Sequence, residues 1–136
     1  MVEVNVTYEG SLRCNAIHGP SRTAVYTDAP VDNMGKGESF SPTDLLATGL
    51  GACILTILGI IAQRHSLDLT GTRVRVQKEM TQEPPRRVAC LTVDVTVPVV
   101  LSDEDKQRLQ NAAETCPVKK SLHPDIRTPI TWHWAA

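Results

Sequence analysis

The stretch that most constrains this chain is Ser41 to Arg64, SPTDLLATGLGACILTILGIIAQR, which carries no charged residue from Leu45 to Ala62. Its start is well marked as a helix. Ser41 suits an N-cap, Pro42 fits the first helical position, where no amide hydrogen is needed, and Asp44 stands three residues after the cap, as in a capping box. At 3.6 residues per turn such a run has no polar face, so the helix is expected to be buried on every side, with Cys53 inside the core. A membrane span takes roughly 20 apolar residues and is the competing reading. Strand-like flanks, Thr48, Thr56 and the glycines Gly49, Gly51 and Gly59 favour a central helix of a folded domain and no membrane. Each interior glycine costs about 1 kcal/mol relative to alanine. Three together suggest that another backbone comes close, one candidate being the same helix of a second subunit.

The 136 residues predict a single domain, 1–136. Covering a helix that is apolar all round is hard for so few residues, which argues for a homodimer. A net charge of -1 and 4% aromatic residues offer neither an electrostatic footprint nor stacking platforms, so no nucleic acid partner is expected. MVEVNVTYEG has neither a basic segment nor an apolar core of a signal peptide, and the expectation is a cytoplasmic protein. Cys14, Cys53, Cys90 and Cys116 form no C-x-x-C pair, and His18, His65, His123 and His133 have no ligand spacing. Gly35-Lys36-Gly37 lacks the spacing of a phosphate-binding loop, so neither a metal nor a cofactor is expected.

Period-two alternation predicts a hairpin, Val2 to Tyr8 and Leu12 to Ala16, around a turn at Glu9-Gly10-Ser11. A turn at His18-Gly19-Pro20-Ser21 then leads to a strand over Arg22 to Thr27. Asp28 to Phe40 is a long loop of the kind that tends to carry function. After the central helix, strands are expected over Thr72 to Met80 and Val88 to Val97, the second with Ala89, Leu91, Val93, Val95 and Val97 on one side and Cys90 on the other. Ser102 with Asp105 opens a helix to about Thr115, with Leu101, Leu109 and Ala112 or Ala113 inward. A short helix, CPVKKSL, and a strand with Ile130, Trp132 and Trp134 complete the chain. The predicted class is α+β: three strands, a helix, two strands, two helices and a strand.

A thiol is nucleophilic as the thiolate, favoured near cations or a helix N-terminus and disfavoured by apolar burial. Cys116, at a helix start with Lys119 and Lys120 one turn on, is placed to favour the anion. Cys53, among aliphatic residues, needs a specific partner to ionise; without one it is inert packing.

The segment Thr27 to Ile60, TDAPVDNMGKGESFSPTDLLATGLGACILTILGI, closely resembles the OsmC/Ohr family, in particular its OsmC-like branch, and Thr115 to Leu122, TCPVKKSL, resembles that family's second cysteine motif. The resemblance implies two intertwined chains, a homodimer with the cysteine-bearing helices at its centre and active sites at the subunit interface. It also implies thiol-dependent reduction of hydroperoxides, often organic ones, with Cys53 matching the peroxidatic cysteine and Cys116 the resolving one. A Cys53 sulfenic acid would then condense with Cys116 to a disulfide, reopened by an external dithiol. The family precedent for that reductant is a lipoylated protein or another dithiol donor.

The chain departs from the organic-hydroperoxide branch at the activating pair. There a glutamate follows the proline of the helix-start motif and an arginine comes from the loop after the second strand; here Pro42 is followed by Thr43 and Asp44, and the turn reads His18-Gly19-Pro20-Ser21-Arg22. Arg22 is the first candidate for a cation beside Cys53, with Glu38 or Asp44 to orient it, and His18 a weaker one. Asp44 as a plain cap, and Glu38 and Arg22 as solvated surface, are the alternatives. Cys14 and Cys90 match no family motif. Besides the peroxidase, two readings stay open: a stress-associated dimer that binds an apolar ligand between its subunits with little turnover, and thiol transfer to an electrophile.

Overall fold

A computed structural model describes residues 1–136, with strands β1 (Val4–Gly10), β2 (Arg13–His18) and β3 (Ala24–Asp28), helix α1 (Pro42–Arg64), strands β4 (Arg73–Met80) and β5 (Val88–Val97), helices α2 (Asp103–Ala113) and α3 (Pro117–Ser121), and strand β6 (Ile130–Trp134). This is the α+β order expected. The chain forms two compact units, residues 1–46 and 47–136, the boundary falling inside α1.

In the first unit β1, β2 and β3 form an antiparallel meander. Tyr8 lies opposite Cys14 and Val6 opposite Ala16, and Ala16 in turn lies opposite Val25, so one face is largely apolar. Ser11 and Leu12 both take positive φ, as tight hairpin turns require. Arg22 also has φ 65°, and its amide donates to the His18 carbonyl. The turn therefore extends through Thr23, and β3 starts at Ala24 rather than at Arg22. The loop after β3 contains one 3-10 turn, Val31–Asn33, and Gly35 comes so close to the Ala29 carbonyl that a Cβ would collide with it. That loop delivers the capping box at the start of α1: Asp44 N–H donates to Ser41 Oγ at 3.0 Å, and Ser41 N–H donates to the Asp44 carboxylate at 2.9 Å.

In the second unit β4 pairs antiparallel with β5, and β6 pairs parallel with β5, so α2 and α3 make the crossover that a parallel pair requires. Val74 and Val76 sit opposite Val95 and Val93, and Val93, Val95 and Val97 sit opposite Ile130, Trp132 and Trp134, which gives the sheet one continuous apolar face. Arg73, Arg75, Asp94 and His133 lie on the other, where His133 bonds to Asp94 at 3.0 Å. Trp132 and Trp134 stack at 5.0 Å, with the Lys106 ammonium over Trp134. In α2, capped by Ser102 as expected, Leu109, Ala112 and Ala113 are all buried. The alternation in β5 differs from expectation at its start, where a register shift opposite Glu79 and Met80 turns Val88 inward and leaves Ala89 half-buried. Cys90 keeps the side of Thr92, as expected, and is buried there.

Helix α1 corrects the expectation of burial on every side. Ala47, Leu50, Gly51, Ile54, Leu58 and Ala62 are buried, a stripe at helical spacing, while Thr48, Ala52, Thr56 and Ile60 are exposed and Cys53 is only half-buried. One chain has too few layers to cover both sides. By length and composition alone α1 could cross a membrane. Among its glycines, Gly51 accommodates the Val74 and Val76 side chains of β4, where an added Cβ would come within 3.2 Å. The close neighbour is thus the chain's own sheet, and Gly59 faces open space.

Candidate functional site

In the second unit the chain brings two thiols together. Cys53, in the middle of α1, and Cys116, the N-cap of α3, share a side-chain hydrogen bond although 62 residues lie between them in the sequence. The Cys116 sulfur also accepts the Lys119 amide at 3.5 Å. All four cysteines are free thiols.

The environments of this pair reverse the expected ones. Cys116 is completely buried, whereas the sequence suggested a surface helix start favouring the anion. Burial, followed by the hydrogen bond to Cys53, pushes its thiol above the ordinary value, and the Lys119 and Val118 amides pull the other way less strongly. The reason is tertiary: Cys116 is enclosed, as are Leu109, Ala112 and Ala113 just before it, and desolvation of a thiolate there outweighs two amide contacts. Cys53, expected in the core, is the more accessible of the two.

In the first unit a second polar cluster lies where sequence reasoning did not look. Arg13, at the start of β2, donates from Nε and Nη2 to the two carboxylate oxygens of Asp28 at 2.7 and 2.8 Å, and from Nη2 to Glu38 at 3.2 Å. Asp28 is buried and also accepts the Glu38 amide at 3.1 Å, so this fork ties the two ends of the loop after β3 together. Hydrogen bonding to Arg13 holds the Asp28 carboxyl below the usual carboxylate range. Glu38 is thereby paired with Arg13 and not with Arg22, which is exposed on its turn, and Asp44 serves the α1 cap. His18 bonds within the same turn, to Ser21. Counting outward from the His18–Thr23 turn puts Arg13 opposite Asp28, a signal present in the sequence once the turn's length is known.

The comparisons agree with this architecture. The family model for OsmC-like proteins matches residues 35–131. A Psychrobacter arcticus protein ascribed to osmotic stress induction and detoxification response is 49% identical, with a TM-score of 0.93 over 98% of this chain and 96% of that one. The Legionella pneumophila organic hydroperoxide resistance protein OsmC shares the fold at 13% identity, TM-score 0.78, over 98% of this chain and 96% of that one. An Elizabethkingia anophelis organic hydroperoxide resistance protein does so at 16% identity, TM-score 0.79, over 99% and 96%. No curated protein matches. With the matched residues running from the end of the loop through both cysteines to the start of the closing strand, the chain belongs to the OsmC-like protein family.

Proposed function

We propose that this protein is a cysteine-based peroxidase that reduces organic hydroperoxides in oxidative-stress defence, working in the cytoplasm as a homodimer. The observation that carries the reading is the contact between the half-buried Cys53 and the buried Cys116. The Cys53 thiolate attacks the terminal peroxide oxygen; the O–O bond breaks, the alcohol leaves after taking a proton, and Cys53 becomes a sulfenic acid. The Cys116 sulfur then attacks the Cys53 sulfur and water leaves, so both electrons delivered to the peroxide come from the thiol pair. An external dithiol, the lipoylated proteins of the family precedent included, reopens the disulfide and is itself oxidised. Aliphatic surroundings suit an alkyl or lipid hydroperoxide better than hydrogen peroxide, whose polar groups lose water contacts there.

Two features support a second copy as the cover for what one chain leaves open. Val4, Val6 and Tyr8 stand exposed on the β1–β3 sheet, and α1 presents Thr48, Ala52, Thr56 and Ile60 outward. Of the arginines that could serve thiol activation, Arg13 is the one held in place, by three hydrogen bonds to Asp28 and Glu38 at 2.7 to 3.2 Å, whereas Arg22 is exposed on its turn and Asp44 caps α1.

The test treats reduced protein with a slight excess of cumene hydroperoxide and maps cysteine linkages by mass spectrometry in wild type, Cys53→Ser and Cys116→Ser. The expected result is a rapid Cys53–Cys116 disulfide in wild type, trapped sulfenic acid in Cys116→Ser and no reaction in Cys53→Ser. Slow oxidation spread over all four cysteines sinks the peroxidase and leaves the apolar-ligand dimer. Sedimentation as a monomer at micromolar concentration sinks the dimer.

A further inference from the structure

We propose that Lys119 is a positioning residue for the resolving thiol, tying the segment that carries Cys116 to the elements on either side of it. The inference rests on the two-cysteine reading above and extends it. The Lys119 ammonium pairs with Glu114 at 3.1 Å and donates to the Thr128 carbonyl and hydroxyl at 3.3 and 3.0 Å. Glu114 is the C-cap of α2, and Thr128 directly precedes Pro129, whose carbonyl accepts from the Val93 amide of the central strand β5. Cys116 lies between Glu114 and Lys119, and its sulfur accepts the Lys119 amide.

The side chain of one residue thus anchors the end of α2 and the approach to β6, while its backbone fixes the sulfur rotamer. Helix α3 has only five residues and cannot hold its own orientation without such anchors. The Lys119 side chain is 17% exposed and its bonds to Thr128 are part-buried, whereas Glu114 is 61% exposed, so the Thr128 bonds are the stronger anchor and the pair with Glu114 the weaker one. Disulfide formation depends steeply on the placement of both alpha carbons, which must end within about 7 Å. A tie that removes freedom from Cys116 raises the effective concentration of its thiol at Cys53. The neighbouring Lys120 is exposed.

The experiment equilibrates the full chain with reduced and oxidised dithiothreitol and measures the fraction carrying a Cys53–Cys116 disulfide. Lys119→Met keeps the aliphatic stem and removes the ammonium; it is expected to lower the exchange equilibrium constant about tenfold. Lys119→Arg is expected to restore most of it, and Glu114→Gln to give a smaller drop. With cumene hydroperoxide, Lys119→Met should leave the rate of sulfenic acid appearance at Cys53 unchanged and slow its conversion to disulfide about tenfold. An unchanged exchange constant in folded Lys119→Met overturns the proposal, as does an equal slowing of both peroxide steps. Should Lys119→Met fail to fold, Glu114→Gln and Thr128→Val each remove one anchor, and the same readouts decide. If wild type forms the disulfide with oxidised dithiothreitol but never with hydroperoxide, the peroxidase reading falls while the exchange constants still judge Lys119.

Discussion

In residues 47–136, Leu50, Ile54 and Leu58 of α1, Leu91, Val93, Val95 and Val97 of β5 and Leu109 of α2 are at most 1% exposed, whereas in residues 1–46 the large apolar residues Val4, Val6 and Tyr8 are at least 56% exposed. What the first unit buries instead is polar: Thr27, Asp28 and Ser41, two of them at the hydrogen bonds that fasten the loop and the α1 cap. One unit is organised by aliphatic packing, each enclosed Leu, Ile or Val contributing about 1.5 to 3 kcal/mol of transfer free energy. The other depends on a guanidinium fork and on whatever covers its open sheet. The difference teaches where each property resides. The packed unit can shelter a thiol from water, and the polar one fixes a long loop with directional bonds that tolerate solvent.

The sharpest way to break this comparison is a cavity in the packed unit. Leu50→Ala should cost about 2–5 kcal/mol in urea unfolding; a loss under about 1 kcal/mol would mean that the core of residues 47–136 is looser than described. Asp28→Asn should have a smaller effect on global unfolding but release the Glu38 amide, seen as faster hydrogen exchange there. Because the Asp28 carboxyl is held below its ordinary value, its stabilisation is present above about pH 4 and lost as pH falls through the depressed folded value. The asparagine variant should therefore lose part of the wild type's acid sensitivity, and an identical acid profile would remove the fork from the account.

Thiol reactivity sharpens the contrast within the second unit. In reduced protein below pH 8, iodoacetamide should label Cys53 at least about ten times faster than Cys116, and the reverse order would contradict the burial of Cys116. The sign for stability follows from the raised Cys116 value. Folding favours the neutral thiol, so its contribution is complete below about pH 8.5, the unfolded value, and disappears as pH rises through the folded one. Replacing Cys116 by Val should flatten that alkaline loss. The smallest effect is expected at Arg22→Ala, within about 0.5 kcal/mol because the side chain is exposed and unpaired; a large loss of peroxide turnover in this variant, and none in Arg13→Ala, would restore Arg22 as the activating arginine.

The element order was legible because it follows from local rules. The Ser41 and Ser102 caps, the valine alternations and the Gly19-Pro20 turn each act over a few residues; the caps stand where they were expected, and the alternations and the turn differ only by a residue or two at the starts of β5 and β3. The environment of the cysteines was not legible. The uncharged α1 reads as buried throughout, yet which of its faces are covered depends on how many layers one chain supplies. Cys116 reads as a helix-start thiol near two lysines, yet it is fully buried and Lys119 turns its charge toward Glu114 and Thr128. Arg13 was passed over because its partner lies fifteen residues away, across a turn whose length sequence pattern alone did not fix.

By itself the sequence determined the helix and strand inventory, the family and the two cysteine motifs, since propensity, capping and period are properties of neighbouring residues. Only the tertiary structure decided which thiol is shielded, which arginine is clamped and what Lys119 holds. Desolvation and charge pairing depend on distances between residues that the chain separates, and packing alone sets those distances.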